Sequence, residues 1–313
     1  MKKLSLLLFI FLLMTTIPVY AQEEVSIVVD SCKIKGTLEV PKSNNPIEVA
    51  LIIAGSGPTD RDGNSKLLPG KNNSLKLLAD CLFKNGIASL RYDKRGIGES
   101  DKVKEEEMTF DQLVTDAVEW VHFLQKDKRF SKIFIIGHSE GSLIGMMAAE
   151  RTNTDKFVSL CGTGQPAYSI IEEQLIGNNL PQELLKECRV IMDSLKHGQT
   201  VKNVNLALVA LFRQSVQPYL ISWFKYDPCV EISKLKIPIL VVGGTTDIQV
   251  GIKDAELLSR ANKESIVVTI ANMNHILKEV LSKDINEQIQ SYGNPELKLS
   301  NELERNILKF FKE

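Results

Sequence analysis

Residues 132–141 read Lys132-Ile133-Phe134-Ile135-Ile136-Gly137-His138-Ser139-Glu140-Gly141. After the lysine the run is apolar, β-branched and unbroken, the pattern of a parallel strand buried on both faces. Leu143, Ile144, Met146, Met147, Ala148 and Ala149 follow with the composition of a buried helix. Between the two stands a G-x-S-x-G pentapeptide. Alone it carries little weight, because glycine and serine are common enough for it to arise by chance in roughly one chain in ten of this length. A strand before it and a helix after it make it a nucleophile elbow, a turn in which a Cβ at either glycine would collide with neighbouring backbone. In that setting Ser139 projects its hydroxyl above the sheet, at the positive end of a helix.

Strand and helix patterns alternate on both sides of the elbow. Residues 25–30 and 34–40 read as an antiparallel hairpin, and 48–53 as a buried strand running into Ala54-Gly55-Ser56-Gly57-Pro58. Residues 74–84 have helical spacing and 87–92 read as a strand. Residues 110–125 place Leu113, Ala117, Trp120, Val121 and Leu124 on one helical face. Strands at 157–161, 237–242 and 265–270, with helices at 255–261 and 301–311, complete the series. This βαβ succession predicts an α/β fold, a mostly parallel sheet with helices on both faces. Residues 165–226 interrupt it. They lack strand patterns and contain helix-like stretches at 181–194 and 204–214, so they read as a helical cap inserted between core segments 22–164 and 227–313.

The chain has 313 residues, 43 % of them hydrophobic, and a formal net charge of −1. That balance gives no reason to expect a nucleic acid or an anionic membrane as partner. Lys2-Lys3, the apolar run from Leu4 to Met14, and Val19-Tyr20-Ala21 read as a secretory signal peptide over residues 1–21, cut after Ala21. The apolar core is shorter than the ~20 residues of a membrane anchor. The expectation is therefore an exported protein, periplasmic or secreted, with no stable membrane anchor. Cys32, Cys81, Cys161, Cys188 and Cys229 are odd in number and resemble no disulfide framework. They read as mainly small buried hydrophobes, with one Cys188–Cys229 bridge left open. No C-x-x-C pair supports a metal site.

A serine hydroxyl needs a base to act as a nucleophile near neutral pH, normally a histidine held by a carboxylate. Of the four histidines, His122 lies within an amphipathic helix, His138 inside the elbow, and His197 in the cap. His275 follows the strand 265–270 on a loop at a strand's carboxyl end, where catalytic groups of open α/β sheets gather. Asp247, in Gly243-Gly244-Thr245-Thr246-Asp247, ends another strand and is the leading orienting acid. Asp227, followed by a proline at the cap's return, is its competitor. The order Ser139, Asp247, His275 differs from the orders of the chymotrypsin and subtilisin folds. An oxyanion hole needs two backbone N–H donors. Glu140, after the nucleophile, supplies one, and Ser56 or alternatively Gly57 the other.

Four motifs carry a resemblance to the α/β-hydrolase superfamily, within it the serine aminopeptidase-like and bacterial esterase branch. They are Gly55-Ser56-Gly57-Pro58-Thr59-Asp60-Arg61-Asp62-Gly63, Arg91-Tyr92-Asp93-Lys94-Arg95-Gly96-Ile97-Gly98-Glu99-Ser100, the elbow, and Pro238 to Asp247 with His275. The resemblance implies the α/β-hydrolase fold and a cofactor-free serine hydrolase, with Ser139, Asp247 and His275 at the family's catalytic positions. It also implies that 91–100 is a structural turn beneath the active-site edge. Ala54 departs from the His-Gly with which many members begin the oxyanion loop. Asp60, Arg61 and Asp62 read either as a brace for that loop or as lining of the substrate entrance. Carboxylic esters are the default small-molecule substrates. The rivals are a peptidase or amidase using Glu172 or Glu173 to bind a peptide's amino terminus, and a catalytically silent binding protein.

Overall fold

The computed structural model describes residues 22–68 and 70–313, so the expected signal peptide lies outside the described residues. Eight strands form one sheet: β1 (Gln22–Val29), β2 (Cys32–Glu39), β3 (Ile47–Ile53), β4 (Ala88–Tyr92), β5 (Phe130–His138), β6 (Lys156–Leu160), β7 (Ile239–Gly244) and β8 (Ile266–Ile270). Their order across the sheet is β1-β2-β4-β3-β5-β6-β7-β8. The β1–β2 hairpin joins β4 antiparallel, and every pair from β4 to β8 is parallel.

The helices are α1 (Ser74–Lys84), α2 (Phe110–Gln125), α3 (Glu140–Arg151), α4 (Ala167–Gly177), α5 (Gln182–Lys196), α6 (Val209–Phe212), α7 (Gln217–Trp223), α8 (Pro228–Lys234), α9 (Ile252–Ala261), α10 (Ile285–Tyr292) and α11 (Asn301–Lys312). Among the described residues no helix is long and apolar enough to cross a membrane.

Side-chain alternation explains why the central strands are apolar without interruption. In β3, Val49, Leu51 and Ile53 pack into the same core as Phe110 and Trp120 of α2 and Leu143 and Met147 of α3. The intervening Ala50 and Ile52 pack on the opposite face with Leu75 and Leu78 of α1 and Ile307 and Phe311 of α11. Period-2 geometry feeds each face in turn, and both are covered. Between β6 and β7 the chain runs through α4–α8. This stretch has a separate core that includes Cys188, Ile191, Leu195, Phe212 and Leu220.

The stretch 204–214, expected as one helix, is broken. It forms a 3₁₀ turn at Leu206–Leu208, the four-residue α6, and a second 3₁₀ turn at Gln214–Val216. Arg213 interrupts the helix between them at φ −51° and ψ 148°, and its guanidinium pairs with Glu105 and donates to Ala210 O. The Cys188–Cys229 bridge is not formed, because all five thiols are free. Cys188 is enclosed in the core of α4–α7, whereas Cys229 Sγ–H donates to Gly164 O.

Beneath the carboxyl edge, Arg95 and Asp116 form a buried pair with Nε donating to Oδ2 at 2.8 Å. Asp116→Leu should strand the guanidinium and lower the unfolding free energy by about 3–5 kcal/mol, whereas replacing both partners by apolar residues should recover most of that. Urea titration checks this, and a loss under about 1 kcal/mol for the single variant would contradict it.

Candidate active site

Ser139 joins β5 to α3 with φ 55° and ψ −122°, a conformation L-residues rarely adopt. Close approach enforces it. A Cβ on Gly137 would lie 2.2 Å from Gly141 O, and one on Gly141 would lie 2.4 Å from Ile53 O. The glycines of the pentapeptide are therefore required by contact as well as by turn geometry. Ser139 N–H donates to Leu160 O at 2.9 Å, which ties the turn to β6.

His275 lies on the loop after β8 and Asp247 on the loop after β7. Nδ1–H of His275 donates to Asp247 Oδ2 at 2.7 Å, and both residues are buried. The other carboxylate oxygen accepts from the N–H groups of Gln249 (2.7 Å) and Val250 (2.9 Å). Burial pushes the Asp247 carboxyl up, but the His275 charge and these hydrogen bonds outweigh it and hold the group below the usual carboxylate range. Asp227, the competing acid, is elsewhere: it caps α8 by accepting from Cys229 N–H at 2.8 Å. His122 faces Glu119 on α2, and His197 is exposed after α5. Ser139 Oγ makes no hydrogen bond among the described residues. Such contacts commonly tighten only when substrate is bound.

His138 has a task that the sequence did not reveal. Its Nε2–H donates to the His275 carbonyl at 2.7 Å, with the two rings 4.9 Å apart. The residue before Ser139 thus fixes the backbone of the His275 loop. Asn274 adds to this, donating to Gln288 and Ser291 while accepting from Lys278 N–H.

Both candidate oxyanion donors border one cavity of about 630 Å³ with Ser139. Glu140 begins α3 beside the serine, and Ser56 follows Gly55, where a Cβ would meet Ser139 Cβ at 3.1 Å. Ile170, Phe212, Tyr219, Leu220 and Trp223 of the inserted helices form much of the opposite wall. The Glu140 side chain is buried, paired with Lys94 Nζ at 3.0 Å and accepting from Tyr219 OH. Lys94 Nζ also donates to Gly55 O. The 91–100 turn is otherwise structural. Asp93 accepts from Arg61 N–H at 2.8 Å and from the Arg61 guanidinium, while Glu99 N–H donates to it at 2.9 Å. Arg61 also reaches Glu24 and Glu99, which makes the 60–62 acid–base cluster a brace rather than an entrance lining.

Glu172 pairs with Arg189 at 2.7 Å and Glu173 with Lys253 at 3.1 Å, on the protein surface. Among the described residues, one acidic or soft-donor cluster is compact enough for a metal. It comprises Cys161, Asp247 and His275, with ligand atoms within 4.8 Å of one another. Burial, together with the Asp247 charge, pushes the Cys161 thiol well up, so it stays protonated, while Asp247 and His275 already satisfy each other.

Burial and the neighbouring His275 push His138 down to about 4 from its ordinary 6.5. Between those values the unfolded chain takes up a proton that the folded chain refuses. The contribution of the neutral ring is thus fully present above pH 6.5 and is lost as pH falls toward 4, amounting to about 3 kcal/mol. Guanidinium titrations at about pH 7 and 4.5 should show a smaller acid-side decline for His138→Asn than for the wild type. Equal declines would contradict the assignment.

Known proteins resemble this arrangement. A model of the serine aminopeptidase S33 family matches residues 71–220. Esterase EstD of Thermotoga maritima is 26 % identical over 288 residues, covering 88 % of this chain and 65 % of that protein, so the chain spans less than two thirds of its relative. Est1E of Butyrivibrio proteoclasticus, solved with ferulic acid bound, superposes with a TM-score of 0.63 at 18 % identity, covering 92 % of this chain and all of that one. An esterase of Pyrococcus furiosus gives 0.61 at 14 %, covering 94 % and 91 %. With the strand order and the elbow, these likenesses show that the chain has the α/β-hydrolase fold and is similar to a serine aminopeptidase S33 model and to an esterase in sequence.

Proposed function

We propose that this protein is an exported serine hydrolase that cleaves carboxylic esters through an acyl-enzyme. Ser139 Oγ attacks the carbonyl carbon while His275 Nε2 takes its proton. The tetrahedral oxyanion is met by the N–H groups of Glu140 and Ser56. Collapse expels the alkoxide, which takes the proton from His275, and water then releases the acid by the same steps in reverse order. Asp247 holds the tautomer in which Nε2 is the free base. The observation that most supports this is the buried Asp247–His275 hydrogen bond on strand-end loops, in a loop that His138, the residue before the strained Ser139, holds through the His275 carbonyl.

Residues 165–226 serve in this reading as the cap that closes the cavity over Ser139. The surface pairing of Glu172 and Glu173 favours an ester over a peptide, since an aminopeptidase needs an unpaired, desolvated carboxylate for the substrate ammonium. The names of Esterase EstD and of the Pyrococcus furiosus esterase point the same way. Export rests on residues 1–21, and N-terminal mass analysis of the secreted or periplasmic form should find a chain beginning at Gln22.

A fluorophosphonate probe should label wild type, and Ser139→Ala should abolish labelling; persistent labelling at another serine would refute the nucleophile. Asp247→Asn should lower turnover by about 10⁴ with the fold intact. Asp227→Asn should instead cost at most about 1 kcal/mol of stability and leave turnover unchanged. Aminoacyl-arylamides should be poor substrates, and Glu172→Ala or Glu173→Ala should alter ester hydrolysis by less than about tenfold. Efficient arylamide cleavage that collapses on losing either glutamate would establish the peptidase.

A further inference from the structure

Lys94, Glu140 and Tyr219 form a hydrogen-bonded chain that lines the cavity. Lys94 and Glu140 are 4 % and 3 % exposed. Lys94 Nζ donates to Glu140 Oε2 and to Gly55 O, and Tyr219 OH donates to Glu140 Oε1. A buried ion pair is poor evidence for stability, because apolar residues of similar volume often do as well. Its placement suggests another role. A trans peptide is planar, so its C=O and the following N–H point in opposite directions. Whatever holds Gly55 C=O on one side therefore aims Ser56 N–H to the other. Gly55 lies against Ser139, so that peptide is beside the nucleophile.

We propose that Lys94 is the positioning residue of the oxyanion hole. Its ammonium grips Gly55 O and so orients the Ser56 N–H. Glu140 gives its backbone N–H as the second donor, and its carboxylate locks Lys94 in place. One ion pair thereby ties the two donors together across residues 55 and 140. Tyr219 belongs to α7 of the inserted helices, so the chain carries the position of that segment to the donors. A displaced α7 loosens Glu140, then Lys94, then the Gly55–Ser56 peptide. This role presupposes the ester hydrolysis proposed for Ser139.

The test compares wild type with the double variant Lys94→Met/Glu140→Gln, which strands no charge and keeps the Glu140 position's N–H, and with Tyr219→Phe. Folding is checked by circular dichroism, and the fraction of competent Ser139 by fluorophosphonate titration. The readouts are kcat and KM for a p-nitrophenyl ester, and affinity for a trifluoromethyl ketone, whose adduct carries an oxyanion. The double variant should lose about 10²-fold in kcat per competent site and a similar factor in ketone affinity, with KM within about threefold. Tyr219→Phe should show a smaller loss of the same kind. A purely structural role would reduce the competent fraction and leave per-site kcat alone. Per-site kcat and ketone affinity within about threefold of wild type in both variants would overturn the proposal. A wild type that neither labels nor turns over esters would overturn the hydrolase function itself, and this role with it.

Discussion

Everything at the carboxyl edge depends on how closely three backbones approach one another around Ser139. The carbonyls of Ile53 and Ala54, the peptide of Gly141 and the end of β5 lie within distances that no Cβ tolerates. That contact forces the serine into its positive-φ turn and sets α3 running away from it, with its first N–H beside the hydroxyl. Gly55, on the loop after β3, presses on the same serine. The strain is held by the sheet on both sides: β3 and β6 flank β5, and Leu160 O accepts the serine's own N–H. Apolar packing on both faces of the sheet supplies the rigidity that such a turn requires.

Buried charges beneath this edge do a different job. Arg61–Asp93, Arg95–Asp116 and Lys94–Glu140 are each enclosed, and each engages backbone or side chains from separate segments. Desolvation offsets much of their Coulomb attraction, so their contribution lies in direction more than in free energy. Arg61 fixes the loop after β3 to the loop after β4, and Lys94 joins both to the start of α3. The His138–His275 contact does the same for the last loop without using charge, which suits a ring kept neutral by burial.

The sheet was legible in the sequence because its signals are local, and so was the pairing of Asp247 with His275. Uninterrupted β-branched runs mark the strands, enclosed on both faces in β7 and the end of β5 but largely exposed in the edge strand β8, and Ser139, Asp247 and His275 each follow such a run. Helix α1 and helix α2 show their full extent through apolar spacing, and α2 also carries the capping box of Thr109 and Gln112. What escaped was set at long range. Lys94 meets Gly55 across 39 residues, Glu140 meets Tyr219 across 79, and His138 meets His275 across 137. Periodicity reports which face of an element is buried and is silent on which polar group waits there. The short helices α7 and α8 escaped because a seven-residue segment offers too few turns for a pattern. In the 204–214 stretch the helical run breaks at Arg213, whose guanidinium bridges the nearby Ala210 O and the distant Glu105.

The claim at the centre of this account is that Ser139 carries the acyl group. Acid-quenching the protein during turnover of a p-nitrophenyl ester, followed by peptide mapping with mass spectrometry, tests it directly. The peptide containing Ser139, and no other peptide, should carry the mass of the acyl group. An acyl group on a different residue, or continued ester turnover by Ser139→Ala at the wild-type rate, would contradict it.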